Sequence, residues 1–112
     1  WIIKNLKNNH LLIAENNNNK IALIKFSMIN DKKAEISINL NPTQRGKRLS
    51  DVAIQKSILF LNIMMNNKIK VILARVKKNN VPSKKTFKKS GFNLIKSKDN
   101  IEIYEKILNN LN

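Results

Sequence analysis

The chain has 112 residues and is 42% hydrophobic, which is enough for one domain with a modest core and excludes a disordered segment. It contains no cysteine, so disulfides and thiolate metal sites are excluded, and we expect a reducing, cytoplasmic environment. Its formal net charge of +15 is typical of a protein with a polyanionic partner, such as a nucleic acid, an acidic membrane surface or a phosphorylated ligand.

The distribution of the positive charge favours a compositional origin over a nucleic-acid interface. Lysines are spread along the whole chain together with many asparagines and isoleucines, and all three residue types have AT-rich codons. Arginine, which nucleic-acid readers use for bidentate contacts, occurs only at Arg45, Arg48 and Arg75. A basic nucleic-acid-binding module is therefore kept only as the alternative from another functional class.

Neither a membrane-spanning segment nor a signal peptide is predicted. The longest apolar run, SILFLNIMM, falls short of the ~20 residues that a membrane helix needs and is interrupted by Asn62. The start of the chain lacks the long apolar core of a secretory signal. Because the first residue is Trp1 and not methionine, we expect the sequence to be an excised domain or a fragment.

The first third of the chain predicts three strands joined by short polar turns. Residues 1–9 are interpreted as a helix end or a loop, residues 10–15 and 21–29 as a hairpin, and residues 34–40 as a third strand. We therefore expect an antiparallel meander. The third strand alternates strictly, with Glu35, Ser37 and Asn39 on one face and Ile36, Ile38 and Leu40 on the other.

A long helix and an interior strand follow. Pro42 ends the third strand, because proline cannot donate to a ladder. From about Arg48 apolar residues recur with helical spacing, and residues 66–68 end this helix. The β-branched run 69–76 should lie parallel to 34–40 through a right-handed crossover. The predicted buried stripe of the helix contains Leu49, Val52, Ala53, Ser57, Phe60 and Met64, widened by Ile58, Leu61 and Met65.

Capping signals define a second, short helix. Asn80 is a good N-cap residue, Pro82 fits the first turn, and Gly91 suits the left-handed position after the helix. Residues 92–97 and 101–107 then form a final strand pair. The order β-β-β-α-β-α-β-β predicts an α+β fold: a mixed central sheet, antiparallel first and then crossed once in parallel, flanked by helices in one domain of residues 1–112.

The connection RGKRLS, residues 45–50, combines several features of an anion site. It lies between a strand and a helix, where the unpaired N–H groups of the first helical turn and the helix dipole favour negative charge. Gly46 permits close approach of the backbone, and the neighbouring side chains add positive charge. The spacing is neither that of a Walker loop nor that of a dinucleotide fingerprint. An ordinary turn with solvated basic side chains is the alternative at this point.

Together with the second glycine, this loop resembles the GNAT superfamily of acetyl-CoA-dependent N-acyltransferases. Arg45 matches the first position of the family's Arg/Gln-x-x-Gly-x-Gly/Ala pattern, and the segment from Asn80 to Ser83 matches its Asn-x-x-Ser/Ala helix, which ends in Gly91-Phe92. One long helix and one strand separate the two motifs, as in the family. The resemblance covers residues from about 20 to 107 and implies that the chain lacks the family's first strand and N-terminal helices.

Two positions depart from the family pattern. Arg48 stands where a glycine normally keeps the loop tight, so its side chain must point away from the cofactor or lie on a phosphate. Phe87 stands where the family often has a tyrosine that protonates the leaving thiolate. Ser50 remains small and is compatible with the pattern. These departures leave open a degenerate domain that binds coenzyme A without catalysis.

The resemblance implies acetyl-CoA as the acyl donor and no metal. The pantetheine arm would pair with the backbone of residues 39–41 between two splayed parallel strands, and the diphosphate would lie on the amides of residues 46–50. Asn80 would donate to the arm. The implied cofactor residues are Asn39, Leu40, Asn41, Arg45, Gly46, Lys47, Arg48, Leu49, Ser50, Asn80, Ser83 and Phe87.

The resemblance also implies catalysis by direct attack of a primary amine on the thioester. The backbone N–H of Leu40 would stabilise the oxyanion, and Glu35, on the polar face of the central strand, would be the base. A solvated or salt-bridged strand residue is an equally weighted interpretation of Glu35. The segment EISINLNPTQRGK, with Phe87 rather than a tyrosine before the Gly-Phe pair, resembles family members that acetylate an amino sugar on a nucleotide carrier. Protein or peptide amines and other small-molecule amines are the alternatives, and the oligomeric state is left open.

Overall fold

In the computed structural model, residues 1–8, 10–44 and 49–108 are described, and they form one mixed sheet with two helices. The predicted α+β class is confirmed, and so is the order of elements after residue 10. The strands are β1 (Ile2–Lys7), β2 (Leu11–Asn16), β3 (Asn19–Met28), β4 (Lys33–Leu40), β5 (Val71–Lys77), β6 (Asn93–Lys98) and β7 (Ile101–Ile107), and the helices are α1 (Ser50–Met64) and α2 (Val81–Lys89), with a single 3-10 turn at Pro42–Gln44.

The strands lie in the order β1-β2-β3-β4-β5-β7-β6. All neighbours are antiparallel except β4 and β5, which are parallel and are connected through α1. In the described part of the chain, neither helix is long and apolar enough to cross a membrane. The sheet therefore consists of an antiparallel half, β1–β4, and a second half, β5–β7–β6, that meet at a single parallel ladder.

The prediction of a helix end or loop for residues 1–9 is wrong over most of its length, because β1 pairs with β2 at the edge of the sheet. The segment IIKNLK has no regular alternation, and most of its residues are exposed. Its strand conformation comes from the ladder that β2 offers and not from a local pattern. A bulge between Asn5 and Lys7 accompanies this weak local preference.

The two faces of the sheet differ in burial. Even-numbered residues of the central strands are buried under the helices, whereas the odd-numbered face carries mostly exposed or half-buried side chains. Both helices lie on the even-numbered face, and a hydrogen bond of 3.1 Å between the Ser50 and Thr86 hydroxyls joins them. We call the odd-numbered side the open face. The buried face of the sheet contains Leu12, Ala14, Ala22, Ile24, Phe26, Ala34, Ile36, Ile72, Ala74, Val76 and Tyr104.

Helix α1 is rotated slightly from the predicted stripe. Met64 is 47% exposed, although it was expected to be buried, and Asn62 is buried instead. Asn62 Oδ1 accepts a hydrogen bond of 3.2 Å from the backbone N–H of Ile69, so this polar side chain closes the connection from α1 to β5. A side chain that looked like an interruption of the apolar pattern therefore contributes to the fold through its amide.

The parallel ladder between β4 and β5 is short. It contains four pairs, from Lys33↔Val71 to Ile36↔Ala74. Beyond these pairs β4 continues to Leu40 along β3, and β5 continues to Lys77 along β7. The two strands are therefore splayed at their C-terminal ends, as the predicted fold requires. We call the space between these ends the gap.

Candidate functional site

The backbone of β4 alternates between two neighbours. Asn41 N donates to Ile21 O at 2.9 Å, and Ile29 N donates to Lys33 O at 2.8 Å, so the odd-numbered residues of β4 are the ones hydrogen-bonded to β3. In an antiparallel pair, the intervening residues direct their N–H and C=O groups away from that partner. For Ile38 and Leu40 this direction is toward β5, where the ladder has already ended. Their backbone groups consequently face the gap.

The alternating direction of the backbone groups along β4 divides the residues predicted to pair with pantetheine into those that face the gap and those that face β3. Leu40 presents its backbone N–H and C=O to the gap, whereas the N–H of Asn41 is occupied by Ile21 and that of Asn39 is directed toward β3. Ile38, which was not among the predicted cofactor residues, has the same orientation as Leu40. An extended ligand in the gap would therefore find its main-chain partners at Ile38 and Leu40, two residues apart as in a strand pair.

The N-terminus of α1 lies at the C-terminal end of β4. Among the described residues no side chain caps this helix, and Ala53 N bonds to Leu49 O as the first intrahelical bond. The backbone N–H groups of the first turn, including that of Ser50, are therefore oriented for an anion. The hydroxyl of Ser50 bonds to Thr86, so its predicted contribution is through the amide. Arg45, Gly46, Lys47 and Arg48 lie outside the described residues, and their contacts with a diphosphate stay predictions.

Helix α2 begins as its sequence predicts. Asn80 Oδ1 accepts a hydrogen bond of 3.2 Å from Ser83 N, and the amide nitrogen of the same side chain carries the donors that the predicted pantetheine contact needs. At the other end Gly91 has φ +92°, which only glycine adopts readily. Phe87 is 3% exposed and packs edge-to-face on Phe92, with ring centroids 5.1 Å apart.

The position of the family's acid therefore holds a core aromatic ring, and Tyr104 does not replace it. The Tyr104 hydroxyl donates to Glu102 Oε1 at 2.7 Å and is fully buried. Burial, followed by the hydrogen bond to Glu102, raises the pKa of Tyr104 to about 12. Lys84 Nζ lies 3.2 Å from the same carboxylate oxygen, so the ion pair between Lys84 and Glu102 connects α2 to β7. These contacts indicate a structural role for Tyr104.

Glu35 lies on the open face, within the last part of the parallel ladder. Its Oε1 forms an ion pair of 2.9 Å with Nε of Arg75, which is the first residue of β5 beyond the ladder. The Glu35 side chain is 32% exposed and that of Arg75 is 67% exposed. The salt-bridged interpretation of Glu35 is thus what the structure shows, while its role as a base stays a prediction.

A cavity of about 470 Å³ opens beside the end of β4. Most of its wall is apolar, and the polar groups come from the end of the strand, where Asn41 Nδ2 donates to Lys20 O at 2.7 Å. Among the residues that the structure describes, no group of His, Asp or Glu side chains is arranged to hold a metal ion. The cavity is lined by Ile13, Lys20, Ala22, Leu23, Asn39, Leu40, Asn41 and Pro42.

Splayed parallel strands, gap-facing amides and an uncapped helix N-terminus at the same edge are what an elongated acyl-CoA would require. The model of the acetyltransferase (GNAT) family matches residues 1–92 of the chain. The chain belongs to the GNAT acetyltransferase family. Acetyl-CoA is the acyl donor of this family. In this GNAT protein the backbone groups of Ile38 and Leu40 face the gap. No sequence match was found among curated proteins.

Solved structures support the same fold. The Campylobacter jejuni N-acetyltransferase PseH, also solved in complex with acetyl coenzyme A, has a TM-score of 0.76 at 15% identity, covering 88% of this chain and 67% of PseH. An F149G variant of the spermidine N-acetyltransferase SpeG from Vibrio cholerae has a TM-score of 0.74 at 17% identity, covering 87% and 63%. A domain from Methanocaldococcus jannaschii has a TM-score of 0.67 at 28% identity, covering 88% and 64%. The first two likenesses establish the fold alone.

Sequence reasoning missed Ile38 and the ion pair of Arg75. The alternation of β4 predicts which side chains share a face, but the direction of each amide depends on the register with β3. Likewise, Glu35 and Arg75 come together only because the parallel register places Glu35 opposite Leu73. The residue pattern of a single strand predicts neither of these registers.

The two roles of Asn80 are separable by substitution. Asn80→Ala should lower the free energy of unfolding by about 1 kcal/mol, because the N-cap is lost. Asn80→Ser should retain the cap yet weaken acetyl-CoA binding roughly two- to tenfold, because the serine lacks the amide donors. Urea unfolding and titration calorimetry measure the two effects, with exposed Asn79→Ala as the matched control. If Asn80→Ser binds acetyl-CoA with the wild-type affinity, the role of Asn80 is limited to capping α2.

Proposed function

We propose that this GNAT protein transfers the acetyl group of acetyl-CoA to a primary amine by direct attack. The observation that carries the proposal is the gap between β4 and β5, into which Ile38 and Leu40 direct backbone groups beside the uncapped N-terminus of α1. The strand ends accept an extended arm, and the helix end suits a diphosphate. The strand ends and the helix end follow one another in the chain, as the pantetheine arm and the diphosphate do in coenzyme A.

Bound acetyl-CoA supplies a thioester carbonyl that a neutral amine can attack. A C–N bond then forms, the C–S bond breaks, and one proton leaves the amine nitrogen. The gap-facing N–H of Leu40 donates to the oxygen on which negative charge develops, which lowers the barrier because the donor is fixed by the sheet. Since Phe87 and Tyr104 offer no acid, the thiolate of coenzyme A takes its proton from solvent.

We propose that Glu35 accepts the proton of the amine and that a chain of water molecules carries it there. Glu35 lies five residue steps from Leu40, whose N–H holds the developing oxyanion, and this is ~17 Å along an extended strand, so direct transfer from an amine at that point is excluded. Ser37 and Asn39 lie on the same open face and supply polar groups along this path. Glu35 Oε1 holds Arg75, which leaves Oε2 as the oxygen that receives the proton.

For the acceptor, we propose an amino sugar linked to a nucleotide carrier. One support is the segment EISINLNPTQRGK, which resembles family members that act on such sugars. The others are the open face above the gap and the strongly basic character of the chain. A negatively charged carrier is attracted by such a surface, whereas a polyamine is repelled. The protein would acetylate the sugar amine after both substrates bind on opposite faces of the sheet.

Titration calorimetry tests the acyl donor directly. Wild-type protein should bind acetyl-CoA with micromolar affinity, and Gly46→Trp should abolish the heat of binding by blocking the approach to the loop amides. Gln55→Trp, which places the same bulky side chain on the exposed side of α1, is the matched control and should bind normally. Absence of wild-type binding at millimolar acetyl-CoA would contradict the proposed function.

The assignment of the proton acceptor has a kinetic signature. Glu35→Gln should lower kcat by about two orders of magnitude or more, because a general base contributes roughly 10²–10⁴-fold. Acetyl-CoA affinity should stay at the wild-type value, because Glu35 lies in the paired part of the β4–β5 ladder. Steady-state thiol release and titration calorimetry measure the two effects. An unchanged kcat would show that solvent takes the proton directly.

A further inference from the structure

The splayed end of β5 presents two cations in succession on the open face. Arg75 and Lys77 both lie beyond the last pair of the β4–β5 ladder, and both are exposed. On the β7 side they are paired with Ile103 and Ile101, respectively. This part of β5 therefore combines a pair of positive charges with an apolar flank.

Carboxylates are scarce around these cations. In the described part of β4 that lies across the gap, the open-face side chains are Ser37 and Asn39, which are neutral. Glu105 is on the same face but lies opposite Leu73, within the paired part of the sheet. Glu35 is thus the carboxylate that contacts Arg75, and the surroundings of the gap keep a positive character.

The ion pair fixes the guanidinium of Arg75 without covering it. Glu35 Oε1 contacts Nε at 2.9 Å, and the Arg75 side chain is 67% exposed. A guanidinium held through Nε still carries the terminal Nη groups, which match the geometry of a phosphate or carboxylate. Because the rotamer is already ordered by Glu35, less conformational entropy is lost when an anion binds.

The acceptor should approach from this side. The helices cover the opposite face, and α1 begins there at the end of β4, where the diphosphate of the donor is expected. The open face leads to the same gap, and no described helix packs on it. An amine that reaches the gap near Leu40 therefore lies over the surface that carries Arg75.

Building on the proposed function, we propose that Arg75, oriented by Glu35 and assisted by Lys77, binds an anionic group of the acceptor. The shared chemistry is a phosphate or a carboxylate on a molecule that also has a primary amine. Such a contact selects anionic amines and disfavours polyamines, since a polycation would meet uncompensated positive charge. Arg75 is in this account a specificity-determining residue.

Steady-state kinetics with matched acceptors tests the assignment. The acceptors are glucosamine, glucosamine 6-phosphate, a UDP-linked amino sugar, an amino acid with a free carboxylate, and spermidine. Arg75→Gln should raise KM for the anionic acceptor that wild type prefers by about 10- to 100-fold, as expected for loss of a charge-assisted pair. The ratio of kcat/KM for that anionic acceptor to kcat/KM for glucosamine should fall by a similar factor, because loss of the ion pair with Glu35 affects proton transfer from both acceptors alike. Arg75→Lys should recover part of the loss, because it restores charge without the planar fork.

Lys56→Gln removes one positive charge from the exposed side of α1, away from the open face, and is the matched control. It should leave all acceptors unchanged. Equal losses for glucosamine and the anionic acceptors in Arg75→Gln, or wild-type preference for spermidine, would overturn the assignment while leaving acetyl transfer intact. Failure of wild type to bind acetyl-CoA would instead refute the proposed function. Preference between the phosphate and carboxylate acceptors identifies the source of the anion.

Discussion

The early end of the parallel ladder between β4 and β5 is the constraint on which the site depends. After Ile36↔Ala74 each strand continues, held by an antiparallel partner on its outer side. Backbone polar groups strongly require partners, and the groups of Ile38 and Leu40 that face the gap are paired with no described strand, so they are available to a ligand. The interior of the sheet thus contains strand segments that are unpaired on the side of the gap, and an extended acyl-CoA arm can pair with them as an additional strand would.

The separation of the two faces explains how a small chain combines stability with an accessible site. Burial of the even-numbered side chains under α1 and α2 stabilises the sheet, and Asn62 and Asn80 close the ends of the connections with side-chain hydrogen bonds. The odd-numbered side chains contribute less to the core and carry the charged and polar groups. We therefore expect substitutions on the open face to have little effect on folding.

Much of the fold could be predicted from the sequence because its signals are local. Strict alternation defined β4, and Asn80 and Gly91 bounded α2, where the structure confirms the cap and the positive φ. The conformation of β1 could not be predicted, since it depends on pairing with β2. Met64 was misplaced because the rotation of α1 is set by packing against the sheet.

The site could be predicted only in part for the same physical reason. The loop and α2 motifs predict where the cofactor binds, because glycine and capping residues have local conformational signatures. The selection of Ile38 and Leu40 over Asn39 and Asn41, and the meeting of Glu35 with Arg75, follow from strand registers between distant segments. A residue pattern on one strand does not contain this information.

Amide hydrogen exchange followed by ¹⁵N-resolved NMR, with and without saturating acetyl-CoA, tests the central claim most directly. The account predicts that the amides of Ile38 and Leu40 exchange quickly in the free protein and become strongly protected with acetyl-CoA. The amides of Asn39 and Asn41, which are directed to β3, should be protected in both states. Protection of Leu40 already in the free protein, or no change at Ile38 and Leu40 with acetyl-CoA bound, would contradict it.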